Sequence, residues 1–172
     1  MAPVDILRRL GVSVTLAGVK GLQVEGAHGV SVQADMLLVD ADAEDYRGVI
    51  LPGGPASWTL RETPAVLAMV RDMDREKKLV AAICAAPIAL EAAGVLKGRL
   101  ATCYPAEDVR RAVLRSARDL SQEQVCVDGH IITGRGPAAA LDFGYALGEY
   151  LGCADAVPKL KADMCYKVDA EV

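Results

Sequence analysis

The 172-residue sequence has few aromatic side chains, few histidines and no closely spaced cysteine pair, and each shortage excludes a class of protein. Aromatic residues make up 4% of the chain, so the core must be built from aliphatic side chains and alanine. With two histidines and no Cys-x-x-Cys spacing among five cysteines, no structural zinc site is predicted. The odd, irregularly spaced cysteines favour reduced thiols in a cytoplasmic protein over a disulfide framework.

The chain also lacks a basic stripe and an apolar run long enough to cross a bilayer. Its net charge is −4 with both signs mixed, which argues against a nucleic-acid partner. The segment Gly134 to Ala139 imitates a dinucleotide fingerprint, but it follows the last strand and leaves too little chain for a nucleotide-binding unit. We therefore predict no cofactor, no metal and no membrane association.

What the sequence does contain is an alternation of short apolar strands with helical segments. Hydrophobic residues make up 52%, which favours a globular chain, and we expect residues 1–172 to form one domain. Fully apolar strands such as Leu79 to Ile83 are typical of a parallel sheet covered on both faces. The pattern predicts an α/β fold, a three-layer sandwich with a largely parallel central sheet. We predict a strand over Val12 to Gly18, another over Leu100 to Cys103 and a helix over Ala106 to Ala117, with Thr63 capping a helix that starts at Pro64.

One cysteine occupies a position with chemical meaning. Cys84 follows the strand Leu79 to Ile83 directly, and small residues and a helix follow it. A sharp strand-to-helix turn can expose a nucleophile at the carboxyl end of a parallel sheet, and the helix amides would favour the thiolate. The competing interpretation is a buried packing cysteine, and the position alone does not decide between the two.

A second strand end is expected beside that cysteine. The stretch Leu51 to Pro55 reads LPGGP, and the backbone N–H groups of Gly53 and Gly54 could face the same point. With the N–H of Ala85 they would form an oxyanion hole for a tetrahedral intermediate.

These motifs resemble the ThiJ/PfpI superfamily, and most closely the branch that contains the Parkinsonism-associated deglycase. The resemblance implies a flavodoxin-like sandwich, usually a homodimer, with Cys84 as the reactive, oxidation-sensitive cysteine. It also implies that Gly54 and Ala85 line an anion pocket and that Arg135 lies near the pocket and the dimer interface. A structural salt bridge is the simpler expectation for Arg135. The matching segments are Pro3 to Gly18, His28 to Asp35, Gly48 to Gly54, Leu79 to Pro87, Ala101 to Pro105 and Ile131 to Pro137.

The sequence departs from the family pattern at two places. The family begins with a further strand and a glutamate that contacts the cysteine, whereas Met1 aligns with the start of the first family helix; we expect a misassigned start codon or a truncated chain. Tyr104 stands where some relatives carry histidine, and a phenol is a poor base near neutral pH. His28 could approach the pocket from its turn, although a solvated turn histidine is the commoner case. His130 is expected to be inert at a hairpin tip. Cys103 is expected to be a packing residue, and the alternative is that it resolves a sulfenic acid formed at Cys84.

Two functions follow as hypotheses. In the first, the Cys84 thiolate attacks a reactive carbonyl such as methylglyoxal or its adducts on protein amines, in a deglycase or glyoxalase reaction that protects against stress. In the second, the protein is a non-catalytic sensor of oxidative stress or a chaperone, and Cys84 oxidises to a sulfinate held by the same pocket.

Overall fold

A mostly parallel sheet lies between two layers of helices in the computed structural model, which describes residues 1–166. The helices are α1 (Ala2–Arg9), α2 (Ala56–Glu62), α3 (Pro64–Arg75), α4 (Pro87–Ala93), α5 (Glu107–Val113), α6 (Ala140–Gly148) and α7 (Val157–Asp163). The strands are β1 (Ala17–Gly18), β2 (Gln23–Glu25), β3 (Ser31–Gln33), β4 (Met36–Leu37), β5 (Gly48–Leu51), β6 (Leu79–Ile83), β7 (Leu100–Ala101), β8 (Asp119–Leu120), β9 (Val125–Asp128) and β10 (Ile131–Gly134). No helix among these residues is long and apolar enough to cross a membrane.

The largest sheet has the strand order β5-β6-β10-β9. β5, β6 and β10 run parallel, and β9 joins antiparallel through its hairpin with β10. Three two-stranded pairs complete the description: β1 with β4, β2 with β3, and β7 with β8. The predicted α/β sandwich with a mostly parallel sheet is therefore confirmed.

The two faces of β6 show why its sequence is apolar throughout. Val80 and Ala82 pack into the larger core, which includes residues of α3 and α4. Leu79 and Ala81 pack on the opposite face, in a core that contains residues of α1 and α6. Successive strand residues point to opposite faces, so a strand covered by helices on both sides has no polar position. This layering brings the carboxyl ends of β5 and β6 to one edge of the sheet.

The predicted strand over residues 12–18 is wrong for most of its length. Only Ala17–Gly18 forms a ladder, paired with β4. In residues 1–166 no strand pairs with the segment 12–16, and its backbone groups bond elsewhere: the N–H of Val12 donates to the carbonyl of Leu7, and that of Leu16 to the carboxylate of Asp35. An extended segment without a neighbouring strand does not become a ladder.

The prediction over residues 100–103 was also too long, because the chain leaves β7 early to meet the rest of the sheet. The N–H of Thr102 donates to the hydroxyl of Thr133 at 2.8 Å, which takes it out of the β7–β8 ladder. The following helix is shorter than predicted and spans Glu107–Val113.

The start of α3 differs from the prediction in its cap. Pro64 takes the first helical position as expected, but the hydroxyl of Thr63 donates to the carbonyl of Thr59 at 2.7 Å instead of accepting from the helix. Thr63 therefore joins α3 to the end of α2 without capping α3.

Candidate functional site

Cys84 lies at the carboxyl end of β6 in a backbone conformation that side-chain-bearing residues rarely adopt. Its φ is +65°, although it is not glycine. Two backbone hydrogen bonds of 2.8 Å hold it there: its N–H donates to the carbonyl of Gly134, and its carbonyl accepts from the N–H of Tyr104. A left-handed non-glycine residue costs about 1–3 kcal/mol, so the surrounding structure must impose this geometry. Cys84 is half-buried, which contradicts the interpretation of a fully buried packing residue.

The loop after β5 touches this cysteine through its first glycine. A Cβ placed on Gly53 would lie 2.5 Å from the Cβ of Cys84 and 3.2 Å from its Sγ. Real Cβ atoms do not approach other atoms so closely, so only glycine allows the two strand ends to meet here. Gly54 follows with a φ of +87°, a value that also favours glycine. The PGGP sequence therefore serves the close approach to Cys84 as well as the turn.

Three backbone N–H groups in the segments that follow β5 and β6 have no acceptor within residues 1–166. They belong to Gly53, Gly54 and Ala85, the residues predicted to form an oxyanion hole. Gly53 and Gly54 follow the end of β5, and Ala85 follows Cys84 itself. Ala85 is buried, Gly53 is half-buried and Gly54 is exposed. A backbone N–H without a protein acceptor is free to bind an anion.

The contribution predicted for the following helix is not found in that form. The N–H of Ala86 donates to the carbonyl of Ile83, Pro87 has no N–H, and the N–H of Ile88 donates to the carbonyl of Ala85. The tight turn needed to expose Cys84 uses these amides internally, so Ala85 alone supplies a donor from this side.

Cys103 is the neighbouring thiol, and its environment makes it unreactive. It is 5% exposed. Burial raises its pKa to about 11; the positive charges of Arg110 and Arg135 oppose this rise, and the proximity of Cys84 adds to it. A thiol with that pKa stays protonated near neutral pH, which agrees with the predicted packing role.

Tyr104 and Arg135 approach the site from two further elements. The backbone of Tyr104 bonds to Cys84, while its side chain is 43% exposed. Arg135 follows β10, and its guanidinium donates to the backbone carbonyl and the side-chain oxygen of Gln122. The expected salt bridge of Arg135 is therefore wrong for residues 1–166: both hydrogen bonds of its guanidinium go to Gln122, and its positive charge is not neutralised by a carboxylate.

The two histidines differ in burial and in their contacts. His28 is exposed in the turn between β2 and β3 and makes no side-chain hydrogen bond or ion pair within the described residues. His130, expected to be inert, is 7% exposed, and its Nε2 lies 2.7 Å from the carboxylate of Asp74. Arg99 extends this network to Asp128. The network lies at the start of β6 and β10, away from Cys84, and thus has a structural role.

Neither a carboxylate nor an imidazole within residues 1–166 hydrogen-bonds the Sγ of Cys84. No group of three histidine, cysteine or acidic side chains in that range could hold a metal ion. Sequence inspection overlooked Arg110, whose charge acts on Cys103; the only signal was an arginine pair on a short helix after the Cys-Tyr-Pro motif.

The comparison with known proteins agrees with this geometry. The DJ-1/PfpI family matches residues 1–149. The chain is 37% identical over 169 residues to the Parkinson disease protein 7 homolog of Danio rerio, covering 96% of this chain and 88% of that protein. It is 32% identical over 136 residues to a deglycase of Pyrococcus horikoshii, covering 79% and 81%. The crystal structure of Drosophila melanogaster DJ-1beta superposes with a TM-score of 0.90 at 31% identity, covering 97% of this chain and 90% of that one. The chain therefore belongs to the DJ-1/PfpI family.

Proposed function

We propose that the protein is a cysteine-dependent enzyme, needing no cofactor, that acts on reactive carbonyls such as methylglyoxal or glycated protein amines. The observation that carries the proposal is the left-handed Cys84, held half-buried against the backbone of Gly53 beside three N–H donors without acceptors. A nucleophile next to open backbone donors is the arrangement that addition to a carbonyl requires.

The chemistry follows from this arrangement. The sulfur of Cys84 adds to the aldehyde carbon, and the carbonyl electrons move to oxygen, where the N–H groups of Gly53, Gly54 and Ala85 receive the developing charge. For methylglyoxal, the hydrogen on the attacked carbon then moves with its electron pair to the neighbouring ketone carbon, so that the former aldehyde carbon becomes a thioester and the ketone becomes a hydroxyl. Addition of water then releases lactate and the free thiol, so no external oxidant or reductant is consumed. For a glycated amine, the sulfur replaces the nitrogen at the aminocarbinol carbon, the departing amine takes up the thiol proton, and the three-carbon unit left on the sulfur follows the same route to lactate.

The similarity to a deglycase of Pyrococcus horikoshii supports this proposal. The pairing of Cys84 with Gly53 supports it independently, because packing alone does not require a cysteine in a strained conformation.

A second candidate is the oxidation sensor or chaperone. One observation favours it: among the described residues, no acid or base contacts Cys84, and Tyr104 presents its backbone to the cysteine. A thiol without a proton-transfer partner can still be oxidised, and the N–H donors that would hold an alkoxide could equally hold a sulfinate.

Lactate release from methylglyoxal by the wild type and by Cys84→Ser separates the two candidates. The enzyme proposal predicts turnover in the wild type and its loss in the variant. Absence of turnover, together with a ready gain of two oxygen atoms at Cys84 under dilute peroxide, would overturn the enzyme and support the sensor. Cys103→Ser is the matched control, because that thiol is buried and protonated.

The expected homodimer and cytoplasmic location belong to this proposal. The five cysteines are all unpaired in the structure, which suits a reducing compartment. Light scattering of the purified chain measures the oligomeric state, and a monomer at micromolar concentration would contradict the dimer.

A further inference from the structure

We propose that Arg110 and Arg115 of the α5 region select electrophiles that carry an anionic group for attack by Cys84. This inference rests on the proposed function and refines it, because it names the substrate class: small carbonyl compounds with a carboxylate or phosphate group in preference to neutral dicarbonyls.

A surface depression of about 510 Å³ lies along α5. Pro105 and Leu114 provide its apolar walls, and Leu114 is 44% exposed. The remaining lining residues are charged: Glu107, Arg110, Arg111 and Arg115. A concave surface with apolar walls and several arginines suits a small organic anion, since the guanidinium fork matches both carboxylate and phosphate oxygens.

The charges within this depression do not cancel. The single acid of the lining, Glu107, pairs with Arg111 one helical turn away. Neither Arg110 nor Arg115 has an ion pair or side-chain hydrogen bond within residues 1–166. Two positive charges therefore remain without a carboxylate partner, although the chain as a whole carries a net charge of −4.

The lining of the depression begins one residue after a backbone contact to the nucleophile. Pro105 follows Tyr104 directly, and the N–H of Tyr104 donates to the carbonyl of Cys84 at 2.8 Å. Arg110 also acts on the thiol next to Cys84, because its positive charge is one of the two that lower the pKa of Cys103 against the effect of burial. Arg135, the other one, is already bonded to Gln122, so Arg110 is the cation left to receive a ligand.

Two alkylating agents of nearly equal shape provide the probe. Iodoacetate carries a carboxylate where iodoacetamide carries a neutral amide, and each transfers its methylene carbon to the Cys84 sulfur with loss of iodide. Both rates depend on the same thiolate fraction, so their ratio at the Cys84 peptide reports only the preference for negative charge. Peptide mass spectrometry measures it at Cys84 separately from the other cysteines.

We expect the iodoacetate-to-iodoacetamide ratio of the folded wild type to exceed that of free glutathione. Arg110→Gln should lower it about threefold, Arg115→Gln should lower it in the same direction, and Arg110→Lys should retain most of it. Raising the salt from about 0.05 M to about 0.5 M should reduce the wild-type ratio, because ions screen partly exposed charges. Arg75→Gln is the matched control, since Arg75 ends α3 at the opposite edge of the sheet.

A ratio that is unchanged in Arg110→Gln, or that falls equally in Arg75→Gln, would overturn the inference. Competition of acetate and of inorganic phosphate against iodoacetate then tells which anion the depression prefers. Turnover of hydroxypyruvaldehyde phosphate, an α-ketoaldehyde that carries a phosphate group, relative to methylglyoxal separates this inference from the proposed function. If methylglyoxal is turned over but the iodoacetate-to-iodoacetamide ratio does not depend on Arg110, the proposed function stands and this inference is refuted. If the ratio depends on Arg110 but neither aldehyde is turned over, the enzyme proposal is refuted and the anion preference of Cys84 remains.

Discussion

Gly53 and Cys84 approach so closely that a single added carbon on Gly53 would lie 2.5 Å from the Cβ of Cys84. The close approach lies where the adjacent parallel strands β5 and β6 end. The carbonyl oxygen of Ile83 lies 2.8 Å from the same added carbon, so neither strand end can shift without disturbing the turn at Cys84. This contact couples the stability of the site to the identity of one glycine.

Gly53→Ala should therefore destabilise the protein and slow alkylation of Cys84. We expect a loss of about 1–3 kcal/mol in the free energy of unfolding, because forcing a methyl group into packed backbone displaces both strand ends. Urea unfolding measures the loss. Gly21→Ala is the control, since a Cβ at Gly21 meets nothing within 4 Å and should change the stability by less than about 0.5 kcal/mol. Equal stability of the two variants would refute the contact.

The left-handed conformation of Cys84 predicts an unusual order of stabilities. Cys84→Gly should unfold at a higher urea concentration than Cys84→Ala. Glycine adopts a φ of +65° without strain, whereas alanine is strained at this φ in the same way as cysteine. We expect a difference of about 1 kcal/mol, reduced by the greater flexibility of glycine in the unfolded chain. If Cys84→Ala is the more stable variant, the backbone at residue 84 is not strained.

Cys103 gives a pH-dependent prediction. Its pKa is about 11 in the folded protein against an ordinary value of 9.0, so the unfolded chain loses this proton first as the pH rises. The stability due to its neutral form is complete below pH 9 and is lost as the pH rises towards 11. The free energy of unfolding of the wild type should fall more steeply across this interval than that of Cys103→Val. Cys165→Ser, which alters an exposed thiol, should follow the wild type.

The two histidines provide a matched pair for testing the contact between buried His130 and partly exposed Asp74. His130→Leu removes the partner 2.7 Å from Asp74, and we expect a loss of about 1–3 kcal/mol of stability. His28→Leu alters an exposed side chain and should be nearly neutral. Neither substitution should change the rate of Cys84 alkylation in the folded state, because the network lies at the other edge of the sheet. A neutral His130→Leu would contradict the structural role of His130.

The sequence was sufficient to predict the elements that place the nucleophile. The apolar run of β6 and the glycines after β5 are local signals, and the sheet converts them into a shared edge. The failed predictions concern hydrogen bonds between distant residues. Nothing in residues 100–103 indicates that the amide of Thr102 bonds to Thr133, and nothing near Thr63 distinguishes a capping hydroxyl from one bonded to Thr59.

The roles of charged side chains were the least predictable part of the site. His130 follows a turn signal that is typical of solvent exposure, but the opposing Asp74 comes from α3, 56 residues away in sequence. Arg135 lies in a segment that resembles a family motif, and that resemblance guides its interpretation. Its partner Gln122 lies in a loop that matches no family motif, so the contact could not be predicted. Single-residue patterns do not encode such pairings, because tertiary packing alone brings the partners together.

The central claim is that Cys84 is the nucleophile and that its backbone cradle is sufficient for reaction with a carbonyl. The most direct test is lactate formation from methylglyoxal by a variant that retains Cys84 as its sole cysteine, with the other four replaced by valine or serine, compared with the wild type and with Cys84→Ser. We predict that the sole-cysteine variant retains most of the wild-type rate and that Cys84→Ser has none. Equal rates in the wild type and Cys84→Ser would contradict the account.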